Sequence, residues 1–125
     1  MKDTGITAPK GFLAAGVRCG IKESGRPDLG LIVCPTGATA AAVFTTNKIV
    51  SAAVEVSKKH IKNSKIYAVV ANSGCANACT GKTGIENAIE MCRQTAVSLS
   101  EMQDVRLLRC ARNDAIRNTQ DEIFW

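Results

Sequence analysis

Residues 66–99 leave the chain little conformational choice. A continuous apolar run, IYAVVAN (66–72), is followed by a loop bracketed by Gly74 and Gly81 and then by apolar residues at helical spacing. An apolar run without alternation is the pattern of a strand buried on both faces. Ile85, Ile89, Cys92, Ala96 and Leu99 make one helical stripe, with Glu86, Glu90 and Arg93 away from it. Thr83 and Glu86 have the T-x-x-E spacing of a capping box, which predicts that the helix opens at Thr83. Gly74 and Gly81 are expected at positive φ, where a side chain would be strained.

A strand, a Gly-rich loop and a helix raise the question of a nucleotide site at Gly81-Lys82-Thr83. A phosphate-cradling loop of that kind has four residues between its glycines, so that backbone N–H groups wrap one phosphate while the lysine reaches the next. Here six residues, Cys75 to Thr80, separate Gly74 from Gly81. The two extra residues carry the first half of the loop off the phosphate. No later apolar strand ends in an Asp that could hold magnesium.

The rest of the chain reads as follows. GVRCGIKES (16–24) and DLGLIVC (28–34) are β-prone runs joined by SGRPD, hence a hairpin. ATAAAVFTTN (38–47) is expected to be a third strand, and AVEVS (53–57) alternates with Val54 and Val56 on one face. SKKHIKNS is expected to hold a short helical turn and a loop.

Six cysteines are spread without metal-type spacing, only Cys75 and Cys79 being close, and His60 stands alone. Buried reduced thiols, with no metal, are the expectation. Lys58, Lys59, Lys62 and Lys65 form the one basic cluster in a net charge of +5. Without stacking aromatics this is a solvated helix end and not a nucleic-acid footprint. No run is long enough to span a bilayer, and MKDTGITAPKG lacks an apolar leader core, so the cytoplasm is the expected compartment, with no membrane partner.

The loop also resembles something specific. NSGCANACTG (72–81) is similar to the N-S-G-N-A-N-A-C-T-G signature of the ornithine acetyltransferase family, the glutamate N-acetyltransferases. PKGFLAAGVRCGIK (9–22), DLGLIVC, and AAVFTTNKIVSAAVEVSKKHI (41–61) resemble further stretches of that family in the same order. The resemblance covers about residues 5–105. Cys75 stands where the family usually has Asn, and Ala53 where it often has Pro. After EMQDV (101–105) the family runs into S-T-G-V-I-G, whereas this chain reads RLLRCARNDAIRN. Residues 1–105 are therefore expected to be the N-terminal part of the family's alpha chain. Residues 106–125 are expected to be a divergent, loosely docked tail, similar to translation of an unrelated insertion or a shifted frame.

The resemblance implies an α/β fold of layered sheets and helices, the DmpA/ornithine acetyltransferase-like fold. It implies a precursor cut at an Ala-Thr bond, whose freed Thr takes acetyl from N-acetylornithine and passes it to glutamate, with no cofactor. The Thr-Gly of S-T-G-V-I-G would supply the oxyanion hole. Those elements belong downstream of residue 105, on the remainder of the enzyme (its beta chain), so no catalytic residue is assigned here and the chain alone is expected to be inactive. What carries over is Asn72, Ser73, Gly74, Asn77, Thr80 and Gly81. Their amides and glycines either satisfy a tight turn or line the substrate pocket. The other functional readings are a non-catalytic interaction stub or truncated-gene product, and nucleotide binding through Gly81-Lys82-Thr83.

Overall fold

Four strands form one sheet in the order β1-β2-β3-β4: β1 Leu13–Val17, β2 Leu29–Ala38, β3 Ile66–Asn72 and β4 Ile123–Phe124. Two helices, α1 Ala52–His60 and α2 Gly81–Glu101, lie among the described residues. This computed structural model describes residues 5–63 and 65–101, with the backbone of residues 123 and 124.

β1 and β2 are antiparallel, with Leu13 opposite Val33 and Val17 opposite Leu29. The expected hairpin is present, but its first strand is 13–17, so most of GVRCGIKES is the connection. Gly20 and Gly25 lie at positive φ, which keeps residues 18–25 out of the strand that the β-prone run predicts. β2 pairs antiparallel with β3, and the register shifts between Val33 and Ala38. Pro35 cannot donate to a ladder and sits inside that irregularity, where a donor is not required.

The core lies between one sheet face and both helices. Val33, Ala68 and Val70 meet Ala52 and Val56 of α1 and Ala88, Cys92 and Ala96 of α2. In α2, Gly84, Ala88, Cys92 and Ala96 are the buried positions, one turn apart. Their small side chains let the helix approach α1 and the sheet closely. This rotates the expected stripe: Cys92 and Ala96 are in it, Ile85 and Leu99 flank it, and Ile89 is 42% exposed. The expected outer face holds, with Arg93 bonded to Glu90 at 2.6 Å on the solvent side.

β3 was expected to be buried on both faces. Ile66, Ala68 and Val70 are buried, but Tyr67 and Val69 on the opposite face are only half-buried. Two expected strands are absent. Residues 39–47 form no strand, and Val43 is 99% exposed. Residues 53–57 lie within α1, where Val56 is buried and Glu55 is exposed. Five residues of alternation match a strand and a helix face alike, and Ala52, Val56 and His60 at i, i+4, i+8 decide for the helix.

Thr83 does not start α2. The helix already begins at Gly81, so Thr83 is inside the first turn. Of the described cysteines all are free, yet only Cys34 and Cys92 are buried, while Cys19, Cys75 and Cys79 are exposed. The lysines of the basic cluster are exposed, as expected. The reading of the tail lies outside the described residues, apart from the parallel pairing of Ile123 and Phe124 with Ala68 and Val69 of β3.

Val56 is 1% exposed at the centre of the core. Val56→Ala is expected to cost about 1–3 kcal/mol through lost burial and a residual cavity. Val43→Ala, at a solvated position, is expected to change stability by less than about 0.5 kcal/mol. Urea unfolding of the two variants checks this, and equal midpoints would show that the core is placed wrongly.

Candidate functional site

The site is organised by a buried acid on the connection between β1 and β2. Asp28 Oδ1 accepts the backbone N–H of Cys19 at 2.7 Å and the Cys19 thiol at 3.2 Å. Its Oδ2 accepts the N–H groups of Ile21 at 2.7 Å and Lys22 at 3.0 Å. These bonds, the Cys19 and Lys22 amides foremost, hold the Asp28 carboxyl far below the usual carboxylate range, against a desolvation that acts the other way. The same contact pushes the Cys19 thiol up, first through its hydrogen bond to Asp28, then through desolvation and the carboxylate's charge.

Asp28 also reaches the loop at 72–81. Its main-chain carbonyl accepts the Ser73 N–H at 2.8 Å. Gly74, with φ of 102°, lies directly against the clamped stretch. A Cβ placed there would stand 2.9 Å from Lys22 Cγ and 3.0 Å from Ile21 Cγ2. Glycine is needed twice over, for its backbone conformation and for the close approach.

The second half of the loop is tied to both helices. Ala52 N–H donates to Asn77 O at 3.2 Å, beside an antiparallel bridge between Ser51 and Ala78. Asn77 Nδ2 donates to Gly84 O at 2.8 Å, and Thr80 Oγ1 donates to Asn77 Oδ1 at 2.6 Å. Asn77 has φ of 45°, a left-handed conformation that Asn tolerates better than most residues. Asn72 Nδ2 donates to Cys75 O at 3.1 Å. The carboxamides thus serve turn chemistry, as one of the two sequence readings required.

A cleft of about 690 Å³ opens beside this loop. Ile21, Leu29 and Met91 form its apolar wall; Asn72, Cys75, Asn77 and Thr80 come from the loop, and Asn87 from α2. Of the six residues singled out from sequence, Asn72, Asn77 and Thr80 line the cleft, while Ser73, Gly74 and Gly81 shape the backbone behind it. Sequence reasoning missed Asp28 and Asn87. Asp28 opens the D-L-G-L-I stretch, so an acid just before a buried strand was the available signal. Asn87 sits one turn before Met91 and carried none.

Among the described residues, no Lys, Arg, His, Asp or Glu lines the cleft. Lys82 points into solvent, 3.7 Å from Glu86, with a side chain 92% exposed. His60 lines a separate cavity with Val56, Lys59, Asn63 and Ile89. Among the described residues no group of three or more His, Cys, Asp and Glu could hold a metal ion.

Comparison with known proteins bears on the family and the fold. The ArgJ family model matches residues 13–110, five residues past the boundary expected at 105. The arginine biosynthesis bifunctional protein ArgJ of a Synechococcus species is 49% identical over 96 residues, which is 76% of this chain and 23% of that protein. The mitochondrial protein of that name from Paracoccidioides brasiliensis is 54% identical over 90 residues, 68% of this chain and 19% of the relative. The crystal structure of ArgJ from Bacillus halodurans matches with a TM-score of 0.73 and 43% identity, covering 76% of this chain and 50% of that one. Ornithine acetyltransferase from Mycobacterium tuberculosis, solved in complex with ornithine, matches with a TM-score of 0.75 and 40% identity, covering 80% and 52%. The chain spans about a fifth of the length of these curated relatives and about half of the solved chains.

Gly74→Ala is expected to cost about 1–3 kcal/mol, since it adds a collision with residues 21 and 22 to backbone strain. Gly81, at φ of 62° with open space around it, is expected to lose only about 1 kcal/mol as Ala. Chemical denaturation ranks the two, and a reversed order would contradict the close approach at Gly74. Asp28 gives a pH signature. Its folded-state pKa is depressed, so its contribution is complete above the unfolded value of about 3.9 and is lost as pH falls below it. The stability gap between the natural chain and Asp28→Asn should be flat from about pH 5 to 7 and narrow toward pH 3. A gap that widens in acid would show the sign to be wrong.

Proposed function

The chain belongs to the ArgJ family, and from that premise we propose that residues 1–105 are the N-terminal part of an acetyltransferase moving acetyl from N-acetylornithine to glutamate. The supporting observation is the 72–81 loop, whose family-like sequence folds into a rigid wall of a substrate-sized cleft. In this reading Asn72, Asn77 and Thr80 face the substrate, and Ser73, Gly74 and Gly81 hold the loop in position. Residues 106–125 remain a divergent tail.

Acyl transfer needs a nucleophile with a base at hand and donors aimed at the developing oxyanion. Among the described lining residues Cys75 is the one thiol, and no residue able to act as base lies beside it. The nucleophile and oxyanion donors come, we propose, from the ArgJ sequence that residues 1–125 do not contain, with no cofactor. That remainder is also the partner. Val43 at 99%, Ile49 at 70% and Val17 at 51% exposure are apolar residues left open on the β1 and 39–50 side, where it would pack. The same open residues favour the second reading, a pairing module without catalysis of its own.

We place the protein in the cytoplasm, in keeping with its free thiols. No helix among the described residues is long and apolar enough to cross a membrane.

Two preparations test the proposal. Residues 1–125 alone, given N-acetylornithine and glutamate, should yield no N-acetylglutamate above a boiled control. One lost oxyanion donor already costs about 100- to 1,000-fold in rate, and here the nucleophile is missing too. A full-length chimera, with residues 5–101 replacing the aligned part of the Bacillus halodurans protein, should transfer acetyl. An assembled but inactive chimera would favour the pairing module, and turnover by residues 1–125 alone would place a nucleophile within them.

A further inference from the structure

We propose that the cleft beside the 72–81 loop takes the neutral N-acyl end of the substrate, that Asn87 is the side chain that hydrogen-bonds it, and that the charged ends of the substrate stay outside. This rests on the acetyltransferase reading above and says which part of the substrate these residues recognise.

Charge argues first. Among the described residues the lining holds carboxamides, a hydroxyl, a thiol and apolar groups, and no ionised side chain. Two nearby charges are engaged elsewhere. The Asp28 carboxylate is buried under the amides of Cys19, Ile21 and Lys22, and Lys82 pairs with Glu86 in solvent. An α-carboxylate or ammonium set against Ile21, Leu29 and Met91 would lose hydration with no counter-charge among the described lining residues to replace it. A neutral amide pays far less and needs only one or two hydrogen bonds.

The hydrogen-bonding inventory selects Asn87. Three carboxamides line the cleft; Asn72 and Asn77 each give one Nδ2 N–H to the backbone, to Cys75 O and Gly84 O, and Asn77 Oδ1 accepts from Thr80, whereas Asn87 gives none to the loop. Asn87 is exposed on α2 and its side chain makes no hydrogen bond among the described residues, so its donor and its acceptor can exchange water for a ligand. Asn87 and Met91 are four residues apart on α2 and share one face. A ligand whose carbonyl accepts from Asn87 Nδ2 therefore sets its acyl carbon toward the Met91 thioether, with Leu29 and Ile21 beyond. The loop opposite is locked by its own bonds, so the cleft is formed before the ligand arrives.

Residues 1–125 can be tested directly by NMR, following the Asn87 carboxamide and Met91 methyl signals during titration. N-acetyl-L-ornithine and acetamide should shift both signals saturably, and L-ornithine should leave them unmoved. Asn87→Ala should weaken N-acetylornithine binding about 5- to 10-fold, the effect of one lost hydrogen bond, while Lys82→Ala should not. Ornithine acting as strongly as N-acetylornithine would overturn the proposal. So would the absence of any shift at about 50 mM ligand, roughly fifty-fold above a millimolar Kd. The readout is separate from acetyl transfer: an active chimera whose cleft ignores acetamide sinks this inference alone, whereas acyl-selective binding with an inactive chimera sinks only the function.

Discussion

The Asp28 carboxylate, buried at 3% exposure, collects three backbone N–H groups and a thiol from residues 19–22. Left unmatched, a buried carboxylate would be among the most costly groups in a domain of this size. Matched in this way it becomes a fastener, because each amide it holds would otherwise need a partner of its own. The connection between β1 and β2 has glycine turns and exposed side chains and little packing to fix it. Its path is set by Asp28. That path then determines where Ile21 and Lys22 lie, hence how closely Gly74 can approach and where the apolar wall of the cleft stands.

The other side of the loop depends on side-chain size. Gly84, Ala88, Cys92 and Ala96 keep α2 close to α1 and the sheet, and the same closeness brings Gly84 O within reach of Asn77 Nδ2. A Cβ at Gly84 would overlap Thr80 Oγ1 outright and stand 2.6 Å from Asn77 Oδ1. Core packing and loop geometry are therefore one constraint. A larger residue in the first turn of α2 would not merely strain the helix; it would displace the two side chains that close the loop.

How much of this was legible in the sequence depends on how local each cause was. β3, the positive φ at Gly74 and Gly81, and the existence of α2 follow from contiguous residues, and all were readable. The start of α2 was not, because Thr83-x-x-Glu86 mimics a cap while the chain turns helical two residues earlier, under the hold of Asn77 and Thr80. Residues 53–57 carried too few positions to separate a strand from a helix. Residues 39–47 have the composition of a strand, but a strand requires a neighbour, and none of the described strands pairs with them. In the cleft, the motif identified the loop and three of its lining residues. Asp28 and Asn87 escaped because their roles depend on groups that lie close in space but apart in sequence, residues 19–22 and Ser73 for Asp28 and the loop and Leu29 for Asn87.

The loop's chemistry explains both its rigidity and its passivity. A carboxamide committed to a backbone carbonyl holds a turn in place, and each bond it makes there leaves less of its hydrogen-bonding capacity for a substrate. Asn72 and Asn77 have made that commitment, and Thr80 has spent its proton on Asn77. A pre-shaped, uncharged wall is what an acyl-transfer site needs on the side away from the reacting atoms, where it can position the acyl group without competing for it. In the proposed acetyltransferase, the groups that attack and the groups that receive negative charge would come from another surface facing this one, and the apolar residues left open along β1 and 39–50 are where that surface would pack.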